Sequence, residues 1–145
     1  MYKRQVWNKD TQTSETSDIY SGATDESFAN MTYNKAEYKL EVAKSNSKKA
    51  LGLMNRTKLE NIDGMIFLYP APQELTFYMK NTLISLDIIF LDSELKVVTI
   101  HKNTKTEQTK ELYPSDQPAQ YVVEMEAGWS EANNLQIGDF LTLKL

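Results

Sequence analysis

The distribution of apolar and polar residues along the chain predicts a domain dominated by β-strands. In several short segments apolar residues alternate with polar ones, which is the pattern of a strand with one face in a core. About seven strands are predicted by this pattern: YKLEVA (38–43), MIFLYP (65–70), LTFYMKN (75–81), LISLDIIFLD (83–92), KVVTIHK (96–102), QYVVEMEAG (120–128) and DFLTLKL (139–145). We therefore expect an α+β fold whose mostly antiparallel sheet is curled or forms a barrel-like sandwich.

One main helix is predicted over residues ~45–55, within the segment KSNSKKALGLMNR. Ser45, Asn46 and Ser47 stand at its start and are good N-cap residues. The apolar residues of the segment are spaced to form one stripe on a helix: Ala50, Leu51, Leu53 and Met54. Glycine costs about 1 kcal/mol relative to alanine inside a helix. We therefore expect Gly52 to be retained because it permits close packing of the helix against the sheet.

The segment before residue 34 differs in composition from the rest of the chain. It is rich in Thr, Ser, Asp and Asn and has almost no apolar periodicity. We predict a disordered tail or tether over 1–33 and one domain over 34–145. The first five residues, MYKRQ, match the translation of a transposase end sequence used in sequencing libraries, with GTG read as the start codon. We interpret residues 1–5 as an adaptor artefact in a metagenomic sequence, so that the native N-terminus and any export signal are missing.

Composition and charge exclude several classes of protein. The chain of 145 residues can form one domain with a core, and it has no apolar run of the ~18 residues that a transmembrane helix requires. The net charge is -4, and no cluster of Lys and Arg has interleaved aromatic residues, so we expect no nucleic-acid partner. Cysteine is absent, which excludes disulfides, a thiol nucleophile and a thiolate zinc site.

Asp87 is the most unusual residue of the pattern, because it lies inside the apolar run LISLDIIFLD. A buried carboxylate is costly without a partner, and Arg56 or Lys80 could be that partner. In one interpretation, Arg56 and Asp87 form a buried ion pair that holds the helix to the sheet. In the other, Arg56 and Lys80 bind a carboxylate, a phosphate or an acidic sugar. Asn81 and Thr82 would orient that ligand.

Four stretches of sequence, in this order, carry a resemblance to a known family: LGLMNR (51–56), GMIFLYP (64–70), FYMKNTLISLDIIFLD (77–92) and YVVEMEAGWSEANNLQIGD (121–139). The chain resembles the DUF192 family, also called UPF0127, over residues 36–145. Tyr78 stands where this bacterial and archaeal family usually has Trp, and Ser85 stands where it usually has Pro. The resemblance implies a mostly-β domain, often exported or membrane-tethered, and implies no established reaction.

Paired carboxylates are a further candidate, because glycosidases use two of them. Asp87 and Asp92 fall on opposite faces of a regular strand, which makes them a poor pair. Glu124 and Glu126 share one face with Val122, and we expect that face to be exposed to solvent. The acids therefore favour a glycosidase only weakly.

Metal and triad chemistry depends on His101, the single histidine of the chain. One histidine excludes a His-rich zinc site and limits a Ser-His-Asp triad to this residue. Met54, Met65 and Met79 could join His101 as copper ligands, although methionines in strands and helices are more often core residues. We expect no metal and no cofactor. Tyr78 could stack on a sugar or ring ligand, or pack with its hydroxyl group at the surface.

The sequence thus favours a small exported or tethered binding or accessory domain for an anionic or carbohydrate-like small ligand, located in the periplasm or outside the cell. The candidate ligand-binding residues are Arg56, Tyr78, Lys80, Asn81, Thr82 and Asp87. The alternative is a small carbohydrate-active hydrolase or lyase in which Asp87 acts with Lys80 or Arg56. A carboxyl group with a perturbed pKa in an open cleft would favour the enzyme, and a shallow groove rimmed by aromatic residues would favour binding.

Overall fold

The computed structural model of the protein describes residues 19–145. Residues 19–22 are helical, and nine strands and two short helices follow in the described part of the chain. Their bounds are β1 Phe28–Tyr33, β2 Ala36–Ala43, α1 Asn46–Leu51, β3 Gly64–Gln73, β4 Thr76–Phe77, β5 Leu86–Leu91, β6 Val97–His101, β7 Tyr113–Pro114, β8 Ala119–Glu126, α2 Trp129–Ala132 and β9 Thr142–Lys144. In this part of the chain no helix is long and apolar enough to cross a membrane.

The main sheet has seven strands in the order β6-β5-β8-β3-β2-β1-β9, and β4 and β7 form a separate two-stranded sheet. All neighbouring strands of the main sheet pair antiparallel except β2 and β3, which pair in parallel. A parallel pair requires a long connection, and α1 lies in that connection. The prediction of an α+β fold with a mostly antiparallel curled sheet is confirmed.

The curl brings the C-terminal segment to the opposite edge of the sheet. Backbone hydrogen bonds join Gly138 N–H to the Val97 carbonyl group at 2.8 Å and Leu141 N–H to the Leu95 carbonyl group at 3.0 Å. Strand β9, which follows this segment, pairs with β1 at the other end of the strand order. The segment between Gly138 and Leu141 therefore covers the hydrogen-bonding edge of the chain at residues 95–97, where β6 begins.

Both faces of the central strands are buried, because each face has its own core. One core contains Leu40, Ile66 and Val123, together with other residues that point to the same face. The opposite core contains Phe67 and Phe90 and is covered by the residues that follow α1 and by the two-stranded sheet. Strand β8 is buried along its length except at its last residue. Any polar side chain on β8 is therefore enclosed by protein.

Strand β3 begins at a close approach to β8. Gly64 pairs with Met125, and a Cβ atom at Gly64 would overlap the backbone carbonyl oxygen of Glu124 and lie 2.7 Å from Sδ of Met125. A backbone oxygen inside a sheet cannot move aside as a flexible side chain can. Glycine is therefore required at this position by space.

The N-terminal boundary of the domain lies earlier than predicted. Strand β1 pairs with β2 along its whole length, and it places Ala29 and Met31 in the core. Ile19 and Ala23 are buried in the same core. The predicted tail over 1–33 is therefore wrong for residues 19–33, which place Ile19 and Ala23 in the core and form a strand anchored by two apolar residues at alternate positions. The remainder of that prediction, over 1–18, lies outside the described residues.

Helix α1 is shorter than the predicted helix over residues ~45–55. Ser45 is its N-cap, and the hydroxyl oxygen accepts the Lys48 N–H at 3.1 Å, as the sequence predicted. The helix ends at Leu51 because Gly52 has φ 52°, a conformation that residues with a Cβ atom rarely adopt. The predicted apolar stripe is wrong: Leu51 is 51% exposed, and only Leu53, beyond the helix, is fully buried. Gly52 is thus required by its backbone conformation rather than by close packing.

Candidate functional site

Asp87 is fully buried in β5, and its charge is met by backbone groups of two loops. Oδ1 accepts the N–H of Asn103 at 3.0 Å and that of Gly128 at 3.4 Å, and Oδ2 accepts the N–H of Ser130 at 2.8 Å. The carboxylate therefore fastens the loop after β6 and the start of α2 to β5. The prediction that Arg56 or Lys80 meets Asp87 is wrong: Arg56 pairs with Glu41, Lys80 is exposed, and the hydrogen bonds of the Asp87 carboxylate come from backbone N–H groups.

Arg56 forms its ion pair with β2 instead. Its Nη1 and Nη2 atoms donate to the two carboxylate oxygens of Glu41, each at 2.9 Å, and Lys48 Nζ lies 3.3 Å from Oε2 of Glu41. The hydrogen bond from Arg56 holds the pKa of Glu41 below its usual value and raises the pKa of Arg56. Arg56 thus ties the segment after α1 to the sheet, which is a structural role.

Asn81 and Thr82, at the junction of two predicted strands, lie in a tight turn. Asn81 has φ 53°, and its carbonyl oxygen accepts the Asn55 N–H at 2.8 Å. The Thr82 hydroxyl group donates to the Lys80 carbonyl oxygen at 3.1 Å. Lys80 and Asn81 are exposed on this turn, whereas Thr82 is buried. Of the predicted ligand-binding residues, only Tyr78 and Thr82 line a cavity, and the binding roles of all of them stay predictions.

A cavity of ≈ 310 Å³ lies between α1, β3, β8 and the segment around β4. Its wall is rich in aromatic rings, namely Phe67, Tyr69, Phe77 and Tyr78. Phe67 and Phe77 meet edge to face with ring centroids 5.0 Å apart, and Tyr78 is 45% exposed at the rim. The polar groups of the wall include Asn46, Thr76 and Thr82. This size and composition are typical of a small-molecule site.

Glu124 is the one carboxyl group among the described residues that line the cavity. It lies on β8 between Met65 of β3 and Ile88 of β5, and it is 5% exposed. Within the described part of the chain, no side chain or backbone group forms a hydrogen bond or ion pair with the Glu124 carboxyl group. Burial raises the pKa of Glu124 to about 8, so the group is protonated at neutral pH.

The prediction that Glu124 and Glu126 face solvent is therefore wrong for Glu124 and correct only for Glu126, which ends the strand and is exposed. The central place of β8 between β3 and β5, and the cover over this face, enclose the residue. One signal in the sequence could have identified it. Glu124 shares its face with the apolar Val122, in a run as apolar as the one that drew attention to Asp87.

Lys49 is the one cationic side chain among the described residues that line the cavity. Its Nζ donates to the Leu68 carbonyl oxygen at 2.9 Å and lies 4.0 Å from the centroid of the Tyr69 ring. No carboxylate in the described part of the chain lies within ion-pair distance of this ammonium group. Burial lowers the pKa of Lys49. Burial also raises the pKa of Tyr69, and the nearby Glu124 carboxyl group adds to this increase.

The other candidate residues have local structural contacts. Asp92 Oδ1 accepts the backbone N–H groups of the turn between β5 and β6. His101 Nε2 lies 2.7 Å from the Pro114 carbonyl oxygen. Met65 and Met79 are fully buried core residues. Within residues 19–145 there is no group of three or more His, Asp and Glu side chains that could hold a metal ion.

The described residues form a small β-rich domain in which an aromatic-lined cavity lies over a buried acid. A family model, DUF192, described as "Uncharacterized ACR", matches residues 29–143. The chain belongs to the DUF192 family, as the sequence predicted.

Two solved structures are similar to this chain in sequence and fold. A protein of unknown function from Novosphingobium aromaticivorans DSM 12444 is 32% identical, with a TM-score of 0.70 over 79% of this chain and 83% of the other. A protein from Sinorhizobium meliloti 1021, described as a "putative transcription regulator", is 27% identical, with a TM-score of 0.72 over 79% of this chain and 91% of the other. No curated protein matches the chain.

Proposed function

We propose that the domain binds a small carbohydrate-like ligand in the aromatic-lined cavity. The observation that carries this proposal is Glu124, a carboxyl group that is 5% exposed, lines the cavity and has no partner among the described residues. The carboxyl oxygens of Glu124 are not among the fully enclosed side-chain atoms that lack a partner, so they are open to the cavity and a group inside it can reach them. A ligand hydroxyl group in the cavity would supply the missing partner.

The cavity wall supports a ligand with a ring and several hydroxyl groups. Aromatic side chains such as Phe77 and Tyr78 can pack against the apolar face of a sugar ring. Asn46, Thr76 and Thr82 can form hydrogen bonds with hydroxyl groups at its edge. The volume of ≈ 310 Å³ is at the lower end of the range for small-molecule sites, about 300–1,000 Å³, which favours a ligand of monosaccharide size.

Binding is favoured over glycoside hydrolysis because hydrolysis requires a second carboxyl group. Glu124 is the one acid among the described residues of the cavity wall, and the carboxylate of Asp87 is occupied by backbone donors. The alternative is a lyase-type reaction with Glu124 as a single general acid. The raised pKa of Glu124 favours that alternative, since a buried acid that keeps its proton at neutral pH can donate it to a leaving group.

The proposal is tested by NMR titration of the labelled protein with neutral monosaccharides and the corresponding sugar acids. We expect amide shifts in α1, β3, β4 and β8 for at least one sugar, and weaker binding for Glu124→Leu and Tyr78→Ala. Glu126→Gln, on the same strand but exposed, is the matched control and should bind as the wild type does. Shifts confined to other surfaces, or equal binding by all variants, would contradict the proposal. Release of product from the same sugars in glycoside form would favour the enzyme instead.

Two further expectations stay predictions. A location in the periplasm or outside the cell is consistent with a carbohydrate-like ligand. A nucleic-acid partner is not favoured, because the net charge is -4 and the Lys48 and Arg56 side chains are paired with Glu41.

A further inference from the structure

The charge of the cavity at neutral pH distinguishes between classes of ligand. Lys49 lines the cavity, and its ammonium group lies over the ring of Tyr69, another lining residue, with no carboxylate of the described residues within ion-pair distance. Glu124, the one carboxyl group of the wall, is buried without a hydrogen bond or a cation beside it and carries no charge in that environment. The wall therefore has one positive charge that no ion pair within it neutralises; the Asp25 carboxylate, outside the wall, acts on Lys49 only beyond ion-pair distance. A ligand with one negative charge would neutralise that positive charge.

The contacts of Lys49 leave it able to bind an anion. The ammonium group has three N–H donors, and one of them is used by the Leu68 carbonyl oxygen. The Tyr69 ring lies on another side of the group, at 4.0 Å from its centroid. These two contacts hold Nζ in place without neutralising its charge. A ligand carboxylate could accept a remaining donor without displacing either contact.

We infer that the ligand is a sugar acid that binds as a monoanion, with its carboxylate at Lys49 and a ring hydroxyl group at the Glu124 carboxyl group. This inference rests on the proposed function, because it specifies the class of carbohydrate that the cavity takes. The two polar groups have different tasks. Lys49 provides the charge that selects an acid over a neutral sugar, and Glu124 provides a neutral donor that does not repel the anion.

The assignment makes binding dependent on the protonation of Glu124. The titratable groups that face the cavity are Glu124 on β8, Lys49 on α1, Tyr69 on β3 and Tyr78 after β4. Burial raises the pKa of Glu124 to about 8. When Glu124 ionises, the wall loses its net positive charge. The anionic ligand then faces a negative charge on Glu124. The affinity for a sugar acid should therefore fall as the pH rises through about 8, while that for a neutral sugar should change less.

Calorimetric titration of the full chain with D-glucuronate and D-glucose, and with D-galacturonate and D-galactose, tests the inference. At about pH 6.5 we expect an acid to bind about tenfold more tightly than its neutral sugar, a preference of about 1.4 kcal/mol. Lys49→Met, which keeps the apolar stem but removes the charge, should abolish this preference. Lys58→Met is the matched control, because Lys58 is 71% exposed and paired with Glu60, and the preference should be unchanged.

The outcomes separate the inference from the proposed function. Equal binding of acid and neutral sugar by the wild type, or an unchanged preference in Lys49→Met, would overturn the sugar-acid assignment and leave sugar binding in the cavity intact. Absence of binding by all four sugars would overturn both. Repetition with Glu124→Gln, whose side chain cannot ionise, should remove the loss of glucuronate affinity between about pH 6.5 and about pH 9. Persistence of that loss would exclude Glu124 as its cause.

Discussion

Replacement of Glu124 by Gln should change how the stability of the protein depends on pH. The substitution keeps the shape of the protonated side chain and removes its ability to ionise. The pKa of Glu124 is raised by burial from 4.5 to about 8 in the folded protein. Between these two values the folded protein holds a proton that the unfolded chain has released. The free energy of unfolding of the wild type therefore falls as pH rises across this window.

The magnitude follows from the two pKa values. Each pH unit within the window is worth about 1.4 kcal/mol for one proton. Between 4.5 and about 8 the loss of stability caused by Glu124 is thus about 5 kcal/mol, and about 3 kcal/mol of it is present by pH 7. Glu124→Gln should be close to the wild type in stability at about pH 4 and should exceed it by these amounts at higher pH.

Urea denaturation of wild type and variant at about pH 4, 6 and 8 measures this difference directly. Other groups titrate over the same range, so the informative quantity is the variant free energy of unfolding minus that of the wild type. We expect it to increase with pH. The exposed control Glu126→Gln should show no such increase. A difference that is constant with pH would refute the reasoning, because it would mean that Glu124 ionises in the folded protein as it does in the unfolded chain.

The remaining predictions concern the structural contacts around the cavity. Gly64→Ala should destabilise the protein by about 3 kcal/mol or more in urea denaturation. Gly22→Ala is the control, because a Cβ atom there has ordinary space, and it should change stability by less than about 0.5 kcal/mol. Equal effects of the two substitutions would exclude the close approach of Gly64 to β8. Asp87→Asn should lower the free energy of unfolding by about 2–4 kcal/mol, because an NH₂ group takes the place of one carboxylate oxygen and cannot accept the backbone N–H that faces it. An unchanged free energy of unfolding would contradict the hydrogen-bond network. A double-mutant cycle should give a coupling of about 1 kcal/mol between Arg56 and Glu41 and less than about 0.5 kcal/mol between Arg56 and Asp87; the reverse order would contradict the observed pairing.

The pattern of apolar and polar residues predicted most strands of the main sheet, because these strands bury at least one face, whereas the strand predicted over 75–81 is only the two residues of β4. The strand at Phe28–Tyr33 was missed, since only Ala29 and Met31 mark it in a segment otherwise rich in polar residues. The end of α1 was also misplaced. The helical spacing of apolar residues continues past Gly52, so it gives no sign that the helix ends there. The positive φ angle that ends the helix is indicated in the sequence only by the glycine itself.

The candidate site was predicted only in part. The sequence correctly indicated that the Asp87 carboxylate needs a partner, but its partners are backbone N–H groups 16, 41 and 43 residues away, and any residue supplies such a group. Arg56 was assigned to the wrong acid because Glu41 alternates on an ordinary strand and shows no anomaly. Tyr78 was a candidate as an aromatic residue that could stack on a ring, and Thr82 as a residue that could orient a ligand; both line the cavity. The sequence did not identify Glu124 or Lys49 as cavity residues, because they are enclosed only by the curl of the sheet and the segments that cover it.

The central claim is that the cavity presents a buried carboxyl group that is neutral at neutral pH. A titration of the Glu side-chain carboxyl carbons by ¹³C NMR measures this directly, with the Glu124 signal assigned by its absence in Glu124→Gln. We predict a midpoint at about 8 for Glu124 in the folded protein. A midpoint near 4.5, the ordinary value for Glu, would show that the group is ionised and hydrated, and would contradict both the ligand site and the charge assigned to it.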